Sequence, residues 1–272
     1  PLTLQSGIFG FLFFVIVPVA TSLYYAFCNY NILKPARWVG LKNFIDIFQD
    51  PTFYKALGVT LKFAFISVPL KLVFALIVAL ILLKGTKLTP FYRAAYYLPS
   101  ILGSSVAVAI LWKRMFAVDG LVNKLLGIQF AWLGSTTAAL WVIILLAVWQ
   151  FGSSMLIFLS AMKQIPPELY EAARVDGAGG IYSFFRITLP LLMPVLSVCI
   201  ILVTKEGLTV FDYITVMTSG GPAGSTQSIA FLIYENAFMN QKFSYAITQS
   251  VVIFVLVCVV SYFQFRTTRK ED

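Results

Sequence analysis

The feature that most constrains this chain is a series of six apolar stretches, most of them about as long as a membrane is thick. A bilayer core of about 30 Å takes roughly 20 helical residues. The stretches run over residues 7–28, 57–83, 94–112, 138–161, 189–217 and 245–265. Only Lys62, Pro69 and Lys71 interrupt the second, and Thr204-Lys205-Glu206-Gly207 makes a polar break in the fifth. The runs are too long, and too short of strict alternation, for barrel strands. Of the 272 residues, 11% are charged and 60% hydrophobic, where a soluble domain carries about 25% charged residues. So few charges cannot solvate a 30 kDa globule. An ordinary cytosolic enzyme, a disordered chain and a disulfide scaffold are excluded. The expected fold is an all-α integral membrane protein of six transmembrane helices, one domain over residues 1–272, with membrane lipid as its surroundings.

Other function classes drop out in turn. The net charge of +9 sits at the ends of apolar runs and forms no continuous patch, so nucleic acid is not an expected partner. There is no His, hence no imidazole base and no histidine-ligated metal. Cys28, Cys199 and Cys258 lie in or beside apolar runs without CxxC spacing and read as small apolar side chains. No GxxxxGK[ST] loop is present, so this chain is not expected to cradle ATP phosphates itself, and no catalytic residue, metal or cofactor is assigned to it. The sequence begins at Pro1 and shows no polar leader or cleavage site around its first run. That run is expected to be a retained span, with native chain extending upstream.

Lys and Arg set the orientation. With the C-terminus cytoplasmic, the inside segments 84–94, 162–188 and 266–272 hold nine Lys/Arg in 45 residues. The outside segments 29–56, 113–137 and 205–243 hold nine in 92. The twofold density favours a cytoplasmic C-terminus, and an even number of spans places the N-terminus there too. Outside, residues 41–49 carry a helical apolar face of Phe44, Ile45 and Phe48, and Ser219-Gly220-Gly221-Pro222 is a turn.

The inside segment 165–188 is informative because it is not a span. Pro166-Pro167-Glu168 is a helix start. Leu169, Ala172, Ala173 and Asp176 then make a narrow, small-residue face, and Gly177 ends the helix. A second short helix is expected over 181–187, giving a bent pair that projects from the membrane. Glu171-Ala172-Ala173, Asp176-Gly177-Ala178 and Ile187-Thr188-Leu189-Pro190 resemble the "EAA" loop of bacterial ABC importer permeases. Trp38-Val39-Gly40-Leu41-Lys42-Asn43-Phe44, Tyr92-Arg93-Ala94-Ala95-Tyr96-Tyr97-Leu98-Pro99 and Thr218-Ser219-Gly220-Gly221-Pro222 are similar to the carbohydrate-uptake branch, in its maltose/glycerol-phosphate type and its first permease subunit. Gly179-Gly180 departs from the small polar and bulkier residues of that pattern, which implies a looser bend.

The resemblance implies a type I ABC importer permease in the bacterial cell membrane, forming half of a sugar pathway. Its implied partners are a second, homologous permease, an ATPase dimer that binds ATP and Mg, and an extracytoplasmic sugar-binding protein. Coupling to the ATPase would fall to Glu171, Ala172, Ala173, Asp176, Gly177 and Ala178. Sugar contacts would come from the spans flanking the loop, here Trp149, Gln150, Ser153, Glu206, Gly207 and Val210. Intramembrane charge usually faces a pathway or a partner. Lys71 is open to that reading and to a snorkelling or inter-helix role. Glu206 could accept from sugar hydroxyls, Gly207 could admit a ligand to the backbone, and Trp149 could stack on a pyranose. Gly152, Ser153 and Ser154 equally suit helix packing. Glycerol-3-phosphate or a polyol are alternative cargoes. An ion-coupled carrier would have only Glu206 and Asp212 for a coupling site. A non-transporting scaffold explains neither the projecting helices nor the mid-span polar break.

Overall fold

A computed structural model describes residues 9–31, 34–85, 87–103 and 105–268. Residues 7 and 8 of the first run, and Arg269 and Lys270 of the orientation count, lie outside these. The described residues form a helical membrane protein with one small hairpin. Helix α1 is Phe9–Ala26. Strands β1 (Cys28–Asn31) and β2 (Lys34–Trp38) follow, antiparallel with Cys28 opposite Trp38. The helices after them are α2 (Lys42–Phe48), α3 (Pro51–Leu83), α4 (Thr89–Leu102), α5 (Val106–Met115), α6 (Leu121–Leu126), α7 (Ala138–Trp149) and α8 (Gly152–Met162). Then come α9 (Pro167–Val175), α10 (Gly180–Ser183), α11 (Leu189–Leu208), α12 (Asp212–Met217), α13 (Ile229–Tyr234) and α14 (Phe243–Thr268).

Five helical stretches are long and apolar enough to cross a membrane, and α4 with α5 make a sixth if the bent pair counts as one span. The pair falls on the third run, 94–112, and is two helices meeting at 100° in place of one continuous helix, a turn not expected from the sequence. Ser105 starts α5 by accepting from the Ala107 N–H at 3.2 Å, so the second arm is capped as a new helix. The hairpin was likewise not expected. It is held by Asn43, whose Nδ2 donates to the carbonyls of Ala26 and Cys28 at 2.9 Å each.

α7 and α8 run through the middle. Leu140, Ile143, Ile144 and Leu146 of α7 pack with Val108, Phe116, Val210 and Ile214. Met155, Phe158 and Leu159 of α8 pack with Leu72, Ala75 and Ala79 of α3 and Leu192 of α11. Gly152 belongs to a close crossing, since a Cβ there would stand 2.4 Å from the Tyr96 carbonyl of α4. Large apolar side chains such as Phe14 and Phe65 point outward, as a lipid-facing surface requires.

α3 begins on a charged cap. The Asp50 carboxylate accepts from the Thr52 N–H at 2.8 Å and from the Tyr245 hydroxyl of α14 at 2.5 Å. Burial pushes the Asp50 carboxyl up, but the Tyr245 and Thr52 hydrogen bonds, with the nearby Lys242 charge, outweigh it and hold it below the usual carboxylate value. A lowered folded-state pKa contributes stability above the ordinary carboxyl range, and that stability is lost as pH falls through the lowered value. Asp50→Ala is expected to cost about 0.5–2 kcal/mol through the cap. Thermal unfolding of the purified protein should show a lower midpoint at neutral pH, with the gap to wild type narrowing in acid.

Candidate functional site

Two places gather the polar residues that stand out in the sequence. The first is a cavity of about 380 Å³ bounded by α3, the α7–α8 junction, α11 and the start of α12. α7 and α8 are separated by a break at Gln150-Phe151. Its backbone groups are satisfied by a hydroxyl from α4: Ser100 Oγ donates to the Gln150 carbonyl at 3.0 Å and accepts from the Ser153 N–H at 3.1 Å. Gln150 is buried. Its Oε1 accepts from the Tyr213 hydroxyl at 2.8 Å, and its Nε2 donates to the Leu146 carbonyl at 3.4 Å.

Lys71 and Glu206, opposite charges deep in the second and fifth runs, meet across the α3–α11 contact. Lys71 Nζ lies 2.8 Å from Glu206 Oε2, with the lysine side chain 13% exposed and the glutamate 63%. An unpaired charge at mid-membrane costs about 2.5–3.5 kcal/mol on insertion scales, and pairing offsets part of that. Glu206 keeps Oε1 without a partner among the described residues.

Gln150, Ser153, Glu206, Gly207 and Val210 all line this cavity. Trp149 does not. One residue's rotation at the end of α7 turns it about 100° from Gln150. It faces an apolar groove instead, its ring 5.8 Å from that of Trp112. Gly207 serves a close helix contact as well, since a Cβ there would lie 3.2 Å from Ala64 Cα on α3. The expected polar break at 204–207 is helical throughout; α11 ends at Leu208, and the irregular backbone lies at Val210-Phe211. Ser228 Oγ donates to the Val210 carbonyl at 2.7 Å, which satisfies the break. Ser67, Ser100 and Tyr213 also line the cavity and were not singled out. A signal for Ser67 exists, because Ser67 and Lys71 stand at i and i+4 on α3.

The second place is the projecting pair. α9 starts with Pro167 and Glu168 and ends in a motif fixed by Gly177, whose φ is +77°. The Ala178 N–H donates to the Ala173 carbonyl at 2.8 Å, and the Gly177 N–H to the Arg174 carbonyl at 3.1 Å. The second arm differs from the separate helix expected over 181–187. α10 runs through a π-helical turn, Phe184–Thr188, directly into α11. Tyr170 and Thr188 hydroxyls, 2.9 Å apart, tie the two arms together. Glu171, Ala172, Asp176 and Gly177 are exposed, while Ala173 and Ala178 are half-buried. Val175 (88% exposed) and Ile181 (79%) give the tip an apolar surface.

Residues 63–268 match the family described as "Binding-protein-dependent transport system inner membrane component". The chain is 41% identical to the "Probable ABC transporter permease protein YesP" of Bacillus subtilis, over 96% of this chain and 87% of that protein. It is 33% identical to the multiple sugar-binding transport system permease protein MsmF of Streptococcus mutans, over 100% and 93%. Among solved structures it is similar to a bacterial ABC transporter involved in the import of alginate, with a TM-score of 0.84, 24% identity, and 98% and 94% of the two chains covered. With residues 63–268 matched by that family and relatives at 41% and 33% identity covering nearly all of its length, this chain belongs to the inner membrane components of binding-protein-dependent transport systems.

Proposed function

We propose that this chain is the transmembrane subunit of an ATP-driven sugar importer. The observation that carries the reading is that the cavity wall and the projecting loop share one helical run. Glu206 on α11 and Ile181 on α10 belong to the same stretch, Gly180–Met217. A push at the loop is therefore delivered to the cavity. The sugar class is supported by relatives named for it, among them MsmF and the trehalose/maltose transport system permease protein MalF of Thermococcus litoralis, 35% identical over 92% of this chain. The cavity chemistry agrees. Hydroxyls, an amide and carboxylates suit vicinal sugar hydroxyls. Two carboxylates, Glu206 and Asp212, against one ammonium, Lys71, favour a hydroxyl-rich solute over a phosphate ester.

In this reading Gln150, Ser153, Glu206 and Val210 face the solute, with Gln150 held by Tyr213. Gly207 and Trp149 act in helix packing and in the neighbouring groove. Glu171, Ala172, Ala173, Asp176, Gly177 and Ala178 form the surface that enters a cleft on the ATPase, which binds ATP and Mg. A second permease closes the open side of the cavity, and an extracytoplasmic binding protein delivers the solute. Closure of the ATPase dimer turns the cavity outward, and resetting turns it inward.

Proteoliposomes holding both permeases and the ATPase, with the binding protein outside, should accumulate sugar only with ATP inside. Accumulation driven by an ion gradient without the ATPase would overturn the importer reading. Both termini are assigned to the cytoplasm. In a background lacking Cys28, Cys199 and Cys258, Leu125→Cys on α6 should react with an impermeant maleimide outside intact cells. Val175→Cys on the loop should react only after permeabilisation. The reverse pattern would invert the topology.

A further inference from the structure

α3 carries a second stripe that the solute cavity does not use. Lys55, Val59, Lys62, Ile66, Leu70 and Phe74 recur at three- and four-residue steps, on the face next to Ser67 and Lys71. Toward the end of α3 remote from the loop, Lys55 and Lys62 share a pocket of about 290 Å³ with Thr136 and Thr137. Deeper, Leu70 and Phe74 share an apolar groove of about 470 Å³ with Trp112 and Trp149. Trp141 and Ile144 line both, so the two are one continuous furrow.

The furrow changes character along its length in one direction. Its head holds two ammonium groups, two threonine hydroxyls and Ser225, whose Oγ is buried without a hydrogen-bond partner among the described residues. No carboxylate lines either part. Lys55 Nζ donates to the Ala223 carbonyl at 2.7 Å, which leaves its charge uncompensated. Lys62 has no ion-pair partner among the described residues. The tail is apolar and aromatic. On α7, an otherwise largely buried helix, Trp141, Leu145 and Trp149 stand exposed along it. From Lys62 to Phe74 is about 18 Å of helix, somewhat over half the ~30 Å bilayer core.

We infer that this furrow binds an anionic phospholipid of the leaflet remote from the loop. The phosphate sits on Lys62 and Lys55 with the threonine hydroxyls and Ser225, and one acyl chain lies along Leu70, Phe74, Trp141 and Trp149. A protein helix fits less well, because it would have to bring carboxylates to a head that contains none. The inference needs only that the chain spans a membrane and does not depend on the solute.

Brominated lipids test it, since bromine on an acyl chain quenches tryptophan it touches. The purified assembly in mixed micelles should be quenched at lower mole fractions of brominated phosphatidylglycerol than of brominated phosphatidylcholine. Lys55→Ala with Lys62→Ala should weaken the phosphatidylglycerol effect about 10- to 30-fold. Leu145→Trp, which fills the tail and leaves the lysines, should lower the phospholipid retained through purification, counted by native mass spectrometry. Equal quenching by the two lipids, or an unchanged preference in the lysine variant, would overturn the proposal. So would efficient disulfide trapping of Leu145→Cys to a second permease, which would give the furrow to a protein partner.

Discussion

Glu171→Lys and Gly177→Asp should each leave the permease inserted and folded while binding-protein-stimulated ATP hydrolysis no longer yields accumulated sugar. Glu171 is exposed on α9, so reversing its charge costs the isolated chain little. Any loss must then come from the surface it meets. Gly177 is constrained differently. Its φ of +77° costs a side chain about 1 kcal/mol, and a Cβ there meets nothing within 4 Å. The aspartate therefore strains the turn that sets the angle between α9 and α10 without clashing in the core. Uptake in proteoliposomes should fall at least tenfold, with the α-helical circular dichroism unchanged. If both variants match wild type in stimulated hydrolysis and in accumulation, the helix pair is only a connector.

The second large effect concerns the ion pair in the cavity. Glu206→Ala removes a charged hydrogen-bond partner worth roughly 1.5–3 kcal/mol, so uptake should weaken about 10- to 100-fold. It also strands the Lys71 ammonium, which is only 13% exposed. The two causes separate in a double-mutant cycle with Lys71→Met. If Glu206 contacts the solute, the double variant stays impaired. If it only neutralises Lys71, uptake returns to near the wild-type level when both charges are gone, and Glu206 moves to a structural role. Basal ATPase activity should be unchanged in all three proteins.

The membrane-spanning stretches were legible because apolar length is a one-dimensional property. What was not legible depended on contacts distant in the chain. An apolar run of span length reads the same whether straight or folded back, so the 100° turn between α4 and α5 left only Gly103 and the capping Ser105 as signs. Polar residues at 204–207 suggested a break, but a charged side chain with a partner on another helix does not end its own. Lys71 lies 135 residues before Glu206. The actual break is satisfied by Ser228, 18 residues further on. In the loop, the Pro start and the Gly stop are local signals, and both were readable. Trp149 was grouped with Gln150 as a neighbour in sequence, yet neighbours on a helix point in different directions. Tyr213 became visible as a cavity residue only once its hydroxyl was seen to hold Gln150.

The continuity of α10, the π-helical turn and α11 has a mechanical consequence. From Gly180 to Glu206 is about 39 Å of helix, so a tilt of only ~10° at the loop end would carry the glutamate sideways by about 7 Å. That displacement is more than twice the 2.8 Å separation of the ion pair. If α3 does not follow, Lys71 and Glu206 must part during each cycle; if it does, the Ala64–Gly207 crossing must move as a unit. A long lever needs only a small torque at its handle, and the handle here rests on a single residue with left-handed backbone. In the proposed importer, the ratio of loop tilt to cavity displacement is set by the length of one helix.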